Sequence, residues 1–417
     1  MAKNNNNHRG IPSSFWKEST RIVHGNQNAD PVHGGLNAPL YLSSSFKWNT
    51  VEDDGGYEYS RTANPTRTVL EDQLSQLENG KFCSTHSTGM AAATAVAHLF
   101  KQEDHVIIAE DCYGGVHHLF NDIIRHFGVE VSFIDLKDLE KVQVAIQSNT
   151  KCIWAESPSN PLLRLVDIKA LSEIANSAQA LLVVDKTFCS PILQKPLDFG
   201  AHIVVHSLSK YLNGHSDVLG GAVITNNKKV ADRIHFLTNA LGIGSPAFDS
   251  WLILRGIKTL KVRYKHQQKV AQKVAEWLHK HPNVKRVIYP GLQNHPDHEL
   301  AKRQQQGFGA VIAFEVKNGK YGAKTVVENT ELCTLAESLG GVMTLIEIPA
   351  FHSHASMSKE ARQMAGISYG LIRLSIGLED AEDILDDLDQ AFKVQIQSGS
   401  HRKRTTYLDR HAIFQSV

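Results

Sequence analysis

Two short stretches carry the residue types needed for covalent work on a carbonyl group. The apolar run Leu181–Val184 ends in Asp185, and the run His202–Val205 leads into Ser207-Leu208-Ser209-Lys210. A parallel sheet opens a crevice at the carboxyl ends of its strands, so an acid after one strand and an amine after the next would face one ligand. A planar pyridine aldehyde suits that pair. The lysine forms an imine with the aldehyde, and the carboxylate keeps the ring nitrogen protonated so that the ring accepts electrons. The hydroxyls of Ser207 and Ser209 can bind a phosphate beside the amine. Upstream, Ser87-Thr88-Gly89-Met90 opens the alanine-rich segment Ala91–Ala97. Small residues at a helix amino end expose backbone N–H groups to an anion, which supplies a phosphate cradle. Each feature alone has an ordinary reading, a cap or turn for Asp185 and a common Ser-Lys turn for Lys210. Their combination points to a phosphorylated pyridine cofactor. Neither G-x-G-x-x-G nor G-x-x-x-x-G-K-[ST] occurs, which removes the main support for a dinucleotide site or a P-loop.

The elements that must position these residues alternate. β-rich runs at His105–Ala109, Val129–Ile134, Cys152–Ala155, Leu181–Val184, His202–Val205 and Ala222–Thr225 are separated by helical stretches. That order predicts βα repeats building a mostly parallel sheet. The first sixty or so residues are rich in Gly, Asn and Ser and read as an extended arm. From Pro65 the residues Leu70, Leu74 and Leu77 recur at helical spacing, and Asn79-Gly80 stops the helix. Beyond Lys258 the residues Val262, Val270, Val274, Trp277 and Leu278 mark one face of a long helix ended by His281-Pro282-Asn283. A second α/β unit follows, with strands at Val311–Val316 and Leu371–Ser375. Its last helix opens on Glu379-Asp380 and turns Leu385, Leu388 and Phe392 inward. After Val394 the chain is polar and carries the basic run His401–Arg404, which reads as a solvated tail.

Composition narrows the function classes. A chain of 417 residues is long for one simple core, and two or three packed units are expected. The formal net charge of +1 gives no field that favours nucleic acid or a membrane surface. No apolar run reaches the roughly 18 residues of a spanning helix. The polar start MAKNNNNHRG lacks the apolar core of a secretory signal, so a cytoplasmic location is expected. The five cysteines are scattered, with no C-x-x-C, which argues against a disulfide framework or zinc site. The 22 histidines include no H-E-x-x-H, and the adjacent His117 and His118 should diverge, so no metal is expected.

Eight motifs in order then resemble one family, across about residues 20–392. They are YSRTANPT from Tyr59, STGMAA from Ser87, YGG from Tyr113, ESPSNP from Glu156 and VVDKTF from Val183, followed by HSLSKYLNGHSDVLGG from His206, AESLGG from Ala336 and LIRLSIGLED from Leu371. The chain is similar to the cystathionine γ-lyase and γ-synthase group of the Cys/Met metabolism enzymes, which use pyridoxal 5′-phosphate. The resemblance implies an α/β chain of the PLP-dependent transferase-like fold (fold type I, aspartate aminotransferase-like), with a smaller C-terminal α/β domain. It divides the chain into an arm at 1–62, a cofactor domain at 63–258, a substrate-carboxylate domain at 259–393 and a tail at 394–417.

The same resemblance assigns roles. Lys210 is the Schiff-base lysine and proton shuttle, and Asp185 the partner of the pyridine nitrogen. Gly89, Met90, Ser207 and Ser209 hold the phosphate. Tyr59 and Arg61 reach the phosphate of a neighbouring subunit, so sites are shared in a homo-oligomer built as a dimer of dimers. Tyr113 stacks on the cofactor and helps deprotonate the incoming amino acid. Asn160, Ser338 and Arg373 meet the substrate carboxylate, and Glu337 lies on the substrate side. Strand alternation turns Arg373 away from the face of Ile372 and Leu374, and its planar fork suits a carboxylate.

The implied reaction is γ-elimination on cystathionine, giving cysteine, 2-oxobutanoate and ammonia. The alternatives are γ-replacement, joining an activated homoserine to cysteine, chemistry on another γ-substituted amino acid, or a cofactor-binding protein without turnover. Departures from the family pattern bear on substrate. Lys186 stands for Asn, His118 for a substrate-side Arg, Val342-Met343-Thr344-Leu345 for F/V-E-S-L and Phe351-His352 for an Ile/Thr-Met pair. Gly115 stands where methionine γ-lyases carry Cys.

Overall fold

The computed structural model describes residues 16–25, 30, 32–355, 357 and 359–397. The run His401–Arg404 lies outside the described residues. Among the described residues, twelve strands form two sheets. The first seven are β1 (Phe82–His86), β2 (His105–Ala109), β3 (Glu130–Ile134), β4 (Thr150–Glu156), β5 (Leu181–Asp185), β6 (Ile203–Ser207) and β7 (Gly221–Thr225). They lie in the order β1-β7-β6-β5-β4-β2-β3. The ladders β6–β5, β5–β4, β4–β2 and β2–β3 are parallel, and β7 runs antiparallel to both its neighbours. Near-continuous apolar strands such as β2, buried along their whole length, are what a sheet covered on both faces requires.

The remaining strands are β8 (Val284–Ile288), β9 (Val311–Val316), β10 (Thr334–Leu335), β11 (Leu345–Glu347) and β12 (Leu371–Ser375), in the order β10-β11-β12-β9-β8. The helix Leu260–Lys280 precedes this sheet and the helix Ala381–Gln397 follows it. One apolar cluster joins the two units, running from Leu70, Leu208 and Ile253 to Ile312, Leu374 and Leu388. The sheets are therefore braced against each other.

The structure differs from the sequence reading in three places. The arm is not extended throughout, because Glu18–His24 is a helix. Its Ile22 is buried, and Gln73 Nε2 donates to the Arg21 carbonyl at 3.0 Å. Strands β1, β8, β10 and β11 were not legible. Phe82–His86 is largely polar and becomes a strand because it pairs antiparallel with β7. The last helix starts after Glu379-Asp380, because Glu379 turns back to accept from the Thr344 amide and hydroxyl, both at 2.7 Å.

Candidate active site

A cavity of ≈ 220 Å³ opens at the carboxyl ends of β5 and β6 and is closed on its other side by Arg373 of β12 and the loop Glu337–Leu339. Its lining includes Gly89, Met90, Tyr113, Asn160, Asp185, Ser207, Ser209, Lys210, Glu337, Ser338 and Arg373. The parallel register carries Asp185 level with Val205 and Glu156, so three strand ends meet at one floor.

Lys210 Nζ lies 2.9 Å from Ser338 Oγ. Burial pushes its pKa down to about 8, with Arg373 acting in the same direction and Glu347 and Glu337 opposing. A lysine so placed has a substantial neutral fraction near neutral pH, which an amine nucleophile needs. Asp185 accepts from the Thr187 amide at 3.0 Å and hydroxyl at 2.7 Å. Burial raises its pKa, against Thr187 and His206. A cationic ring nitrogen would relieve that penalty.

The helix Gly89–Ala97 points its first turn into the cavity. Thr88 caps it by accepting from the Ala91 amide at 2.9 Å. First-turn amides such as those of Gly89 and Met90 have no intrahelical carbonyl to meet. A Cβ on Gly89 would stand 3.0 Å from Ser207 Cβ, so glycine permits the close approach of helix and β6. Amine, ring-nitrogen partner, anion cradle and hydroxyls thus form a donor set that fits pyridoxal 5′-phosphate.

On the opposite wall, Arg373 donates from Nη1 to Asn160 Oδ1 at 3.0 Å and from Nη2 to the Ser338 carbonyl at 2.7 Å. Ser338 presents that carbonyl and its hydroxyl from a backbone with φ of 89°, in the left-handed region. Such a conformation costs on the order of 1–3 kcal/mol, and it is held here where Lys210 and Arg373 converge. Tyr113 is half-exposed in the cavity. Burial raises its pKa, and Glu337 and Glu156 add to the rise, so the phenol keeps its proton in the substrate-free protein.

Three expected residues lie elsewhere in this chain. Tyr59 is 45% exposed, and Arg61 Nη1 donates to the Asn239 carbonyl at 3.1 Å. His118 does not line the cavity. It closes the helix Gly114–His118, and its Nδ1 is 2.6 Å from Asp122 Oδ2. The sequence reading expected His118 on the substrate side, and in this chain it stands outside the lining of the cavity, paired with Asp122.

Several of the other departures have partners outside the cavity. Lys186 is fully buried beside Glu78, 3.2 Å away, on the side of β5 opposite Asp185. Thr344 is the partner of Glu379. Phe351 packs on Tyr369 with ring centroids 5.1 Å apart, and His352 Nδ1 sits 3.0 Å from the Ile348 carbonyl. Lys186, Thr344, Phe351 and His352 do not line the cavity of this chain.

The sequence reading missed four residues at the site. Glu156 accepts from the Tyr113 amide at 2.7 Å and the Asn160 amide at 2.9 Å, tying the two together. Burial and then Asp185 raise its pKa strongly. Thr187 holds Asp185 as described, while Ser353 lines the cavity and Glu347 pairs with Arg373. Glu156 and Thr187 stand inside quoted motifs and could have been found there. Glu347 and Ser353 had no sequence signal.

Among the described residues no helix is long and apolar enough to cross a membrane, and no group of three or more His, Cys, Asp or Glu is placed to hold a metal. Known proteins resemble this chain along nearly its whole length. A curated relative, a cystathionine γ-lyase of Bacillus subtilis, is 45% identical over 90% of this chain and 99% of its own length. A cystathionine β-lyase of Coxiella burnetii is 44% identical over 94% of this chain and 100% of its own. A crystal structure of cystathionine γ-synthase from Xanthomonas oryzae pv. oryzae, in complex with aminoacrylate and cysteine, superposes with a TM-score of 0.88 at 43% identity, covering 91% of this chain and 98% of that one. The profile of the Cys/Met metabolism PLP-dependent enzyme family matches residues 19–393, and the chain belongs to that family.

Proposed function

We propose that the chain catalyses γ-elimination on cystathionine, releasing cysteine, 2-oxobutanoate and ammonia. The observation that carries this reading is the convergence, in one cavity, of a low-pKa lysine, the Asp185 carboxylate and the Arg373 fork. Bound pyridoxal 5′-phosphate supplies an electron sink for negative charge developing on substrate carbons. Arg373, steadied by Asn160 and Ser338, grips the α-carboxylate of the amino acid. With the cofactor bound, the neutral amine of Lys210 would take the Cα proton, pass it on, take a second proton from Cβ, and return a proton as the γ-substituent leaves. Ser338 Oγ, 2.9 Å away, steers the amine between these positions. Glu337 offers its carboxylate on the substrate side of the cavity. Asp185 would face the ring nitrogen as a carboxylate, and Gly89, Met90, Ser207 and Ser209 would hold the phosphate.

A second reading is γ-replacement, favoured by the likeness to a γ-synthase structure. β-Elimination is a third, raised by relatives named cystathionine β-lyase. Product analysis on L-cystathionine decides among them. 2-Oxobutanoate with cysteine supports the proposal, and pyruvate with homocysteine indicates β-elimination. Cystathionine formed from O-acyl-homoserine and cysteine, with little 2-oxobutanoate, indicates the synthase.

We also infer that residues 63–258 bind the cofactor and 259–393 the substrate carboxylate, and that Tyr59 and Arg61 complete the phosphate site of a second copy. Their outward position in this chain supports that role. Mixed dimers of Arg61→Ala and Lys210→Ala should regain part of the activity that each variant lacks.

A further inference from the structure

Arg373 already has a carboxylate on it. Strands β11 and β12 pair antiparallel with Glu347 directly opposite Arg373. Glu347 Oε1 is 3.1 Å from Arg373 Nη2, and the two side chains are 1% and 3% exposed. The other Glu347 oxygen, Oε2, is buried with no hydrogen-bond partner among the described residues. Its charge therefore leans on the arginine and on the Ser353 hydroxyl, which donates to Oε1 at 2.6 Å. Burial lowers the Arg373 pKa, and Glu347 is the foremost group opposing it.

Donor counting shows the consequence. A guanidinium has five N–H groups, two on each terminal nitrogen and one on Nε. Nη2 is engaged by both the Ser338 carbonyl and Glu347. One Nη1 donor goes to Asn160. A carboxylate entering the cavity gains its two-pronged grip only by sharing Nη2 with an anion already seated behind it. Arg373 lines the cavity and Glu347 does not, so the two carboxylates approach the guanidinium from different sides.

We propose that Glu347 is the internal counter-ion of Arg373 and sets how tightly this site holds a substrate carboxylate. It keeps the buried arginine compensated while the cavity is empty, and it weakens the grip enough for an amino-acid or keto-acid product to leave. The inference rests on the reading of Arg373 as the carboxylate site. Glu347 is a positioning and charge-tuning residue that touches the substrate only through Arg373.

The test uses holoenzyme and follows cofactor absorbance during titration with glycine, which carries an α-carboxylate, and with ethanolamine, which does not. Glu347→Gln keeps the shape and removes the charge. Its glycine Kd should fall about tenfold, with ethanolamine within about twofold of the parent. Glu347→Asp keeps the charge and should leave the glycine Kd near the parent value. Unchanged or weaker glycine binding in folded Glu347→Gln overturns the proposal, as does an equal gain for ethanolamine. Should Glu347→Gln not fold, Glu347→Ser removes the charge while leaving room for water, and the same two outcomes apply. Arg373→Ala tests the underlying reading separately. If it leaves glycine binding intact, Arg373 is not the carboxylate site, whatever the Glu347 variants do.

Discussion

Lys186 and Lys210 stand on opposite sides of the β5–β6 pair, and both lie in surroundings that disfavour a cation. Lys186 is fully buried, with Nζ against Glu78 and donating to the Gln194 carbonyl. Glu78 also meets His206 Nε2 at 2.6 Å. Burial works against the Glu78 charge, but Lys186 and His206 outweigh it and hold the carboxyl below its ordinary pKa. Lys210 is met by the Ser338 hydroxyl, and its pKa is pushed to about 8. One lysine is compensated and structural. The other is left under-compensated in a cavity, which is the state a nucleophile needs. Proximity to Asp185 along the chain does not separate them, because consecutive strand residues face opposite sides.

The largest expected break in this contrast is Lys210→Ala. It should lower turnover by a factor of about a thousand or more while the protein stays folded, since no core packing is lost. Borohydride should fix the cofactor to the parent protein at Lys210 and to neither lysine in the variant, as peptide mapping would show. A label on Lys186 would reverse the assignment.

The matching break on the other side is Glu78→Gln, which leaves a buried lysine unpaired. A loss of about 3–5 kcal/mol is expected from removing one partner of such a pair. Urea denaturation should show it as a lower midpoint, with kcat per folded molecule little changed. A variant as stable as the parent would mean that the cluster is not an ion pair in solution.

A pH experiment sharpens the contrast. Lys210 attacks an aldehyde only as the neutral amine, so capture of pyridoxal 5′-phosphate by cofactor-free protein should accelerate as pH rises and level off above about 8. Below that pH the rate should fall about tenfold per unit. A plateau reached only near pH 10.5 would show a lysine with an ordinary pKa.

The smallest effect is expected at His118, which faces Asp122. His118→Arg should change kcat/KM for cystathionine and for a γ-substituted substrate lacking the distal carboxylate in parallel, each within about twofold. A selective gain for cystathionine would bring His118 back to the site.

Most of the central sheet was legible because its strands, β1 apart, are apolar runs, and such runs predicted β2 there and β9 in the second sheet to the residue. The cofactor side of the cavity was legible for a related reason. Asp185, the loop that carries Lys210 and the amino end of the helix Gly89–Ala97 follow strand ends or open a helix, and the order of elements brings such ends to one edge of the sheet. The substrate side was legible only in part. Arg373 was turned from its strand neighbours by alternation, but its partners Asn160, Ser338 and Glu347 come from three separate elements.

Local sequence thus determined which segments are strands and helices where periodicity is strong, and which groups could perform cofactor chemistry. Tertiary structure decided which of two adjacent residues, Asp185 or Lys186, faces the cavity. It decided that Thr344 and His118 engage Glu379 and Asp122. It also decided that Glu347 sits on Arg373. The physical reason is that strand register and helix rotation are set by closure of the whole core. A contact between residues paired across two strands depends on that closure, and no periodicity within either strand encodes it.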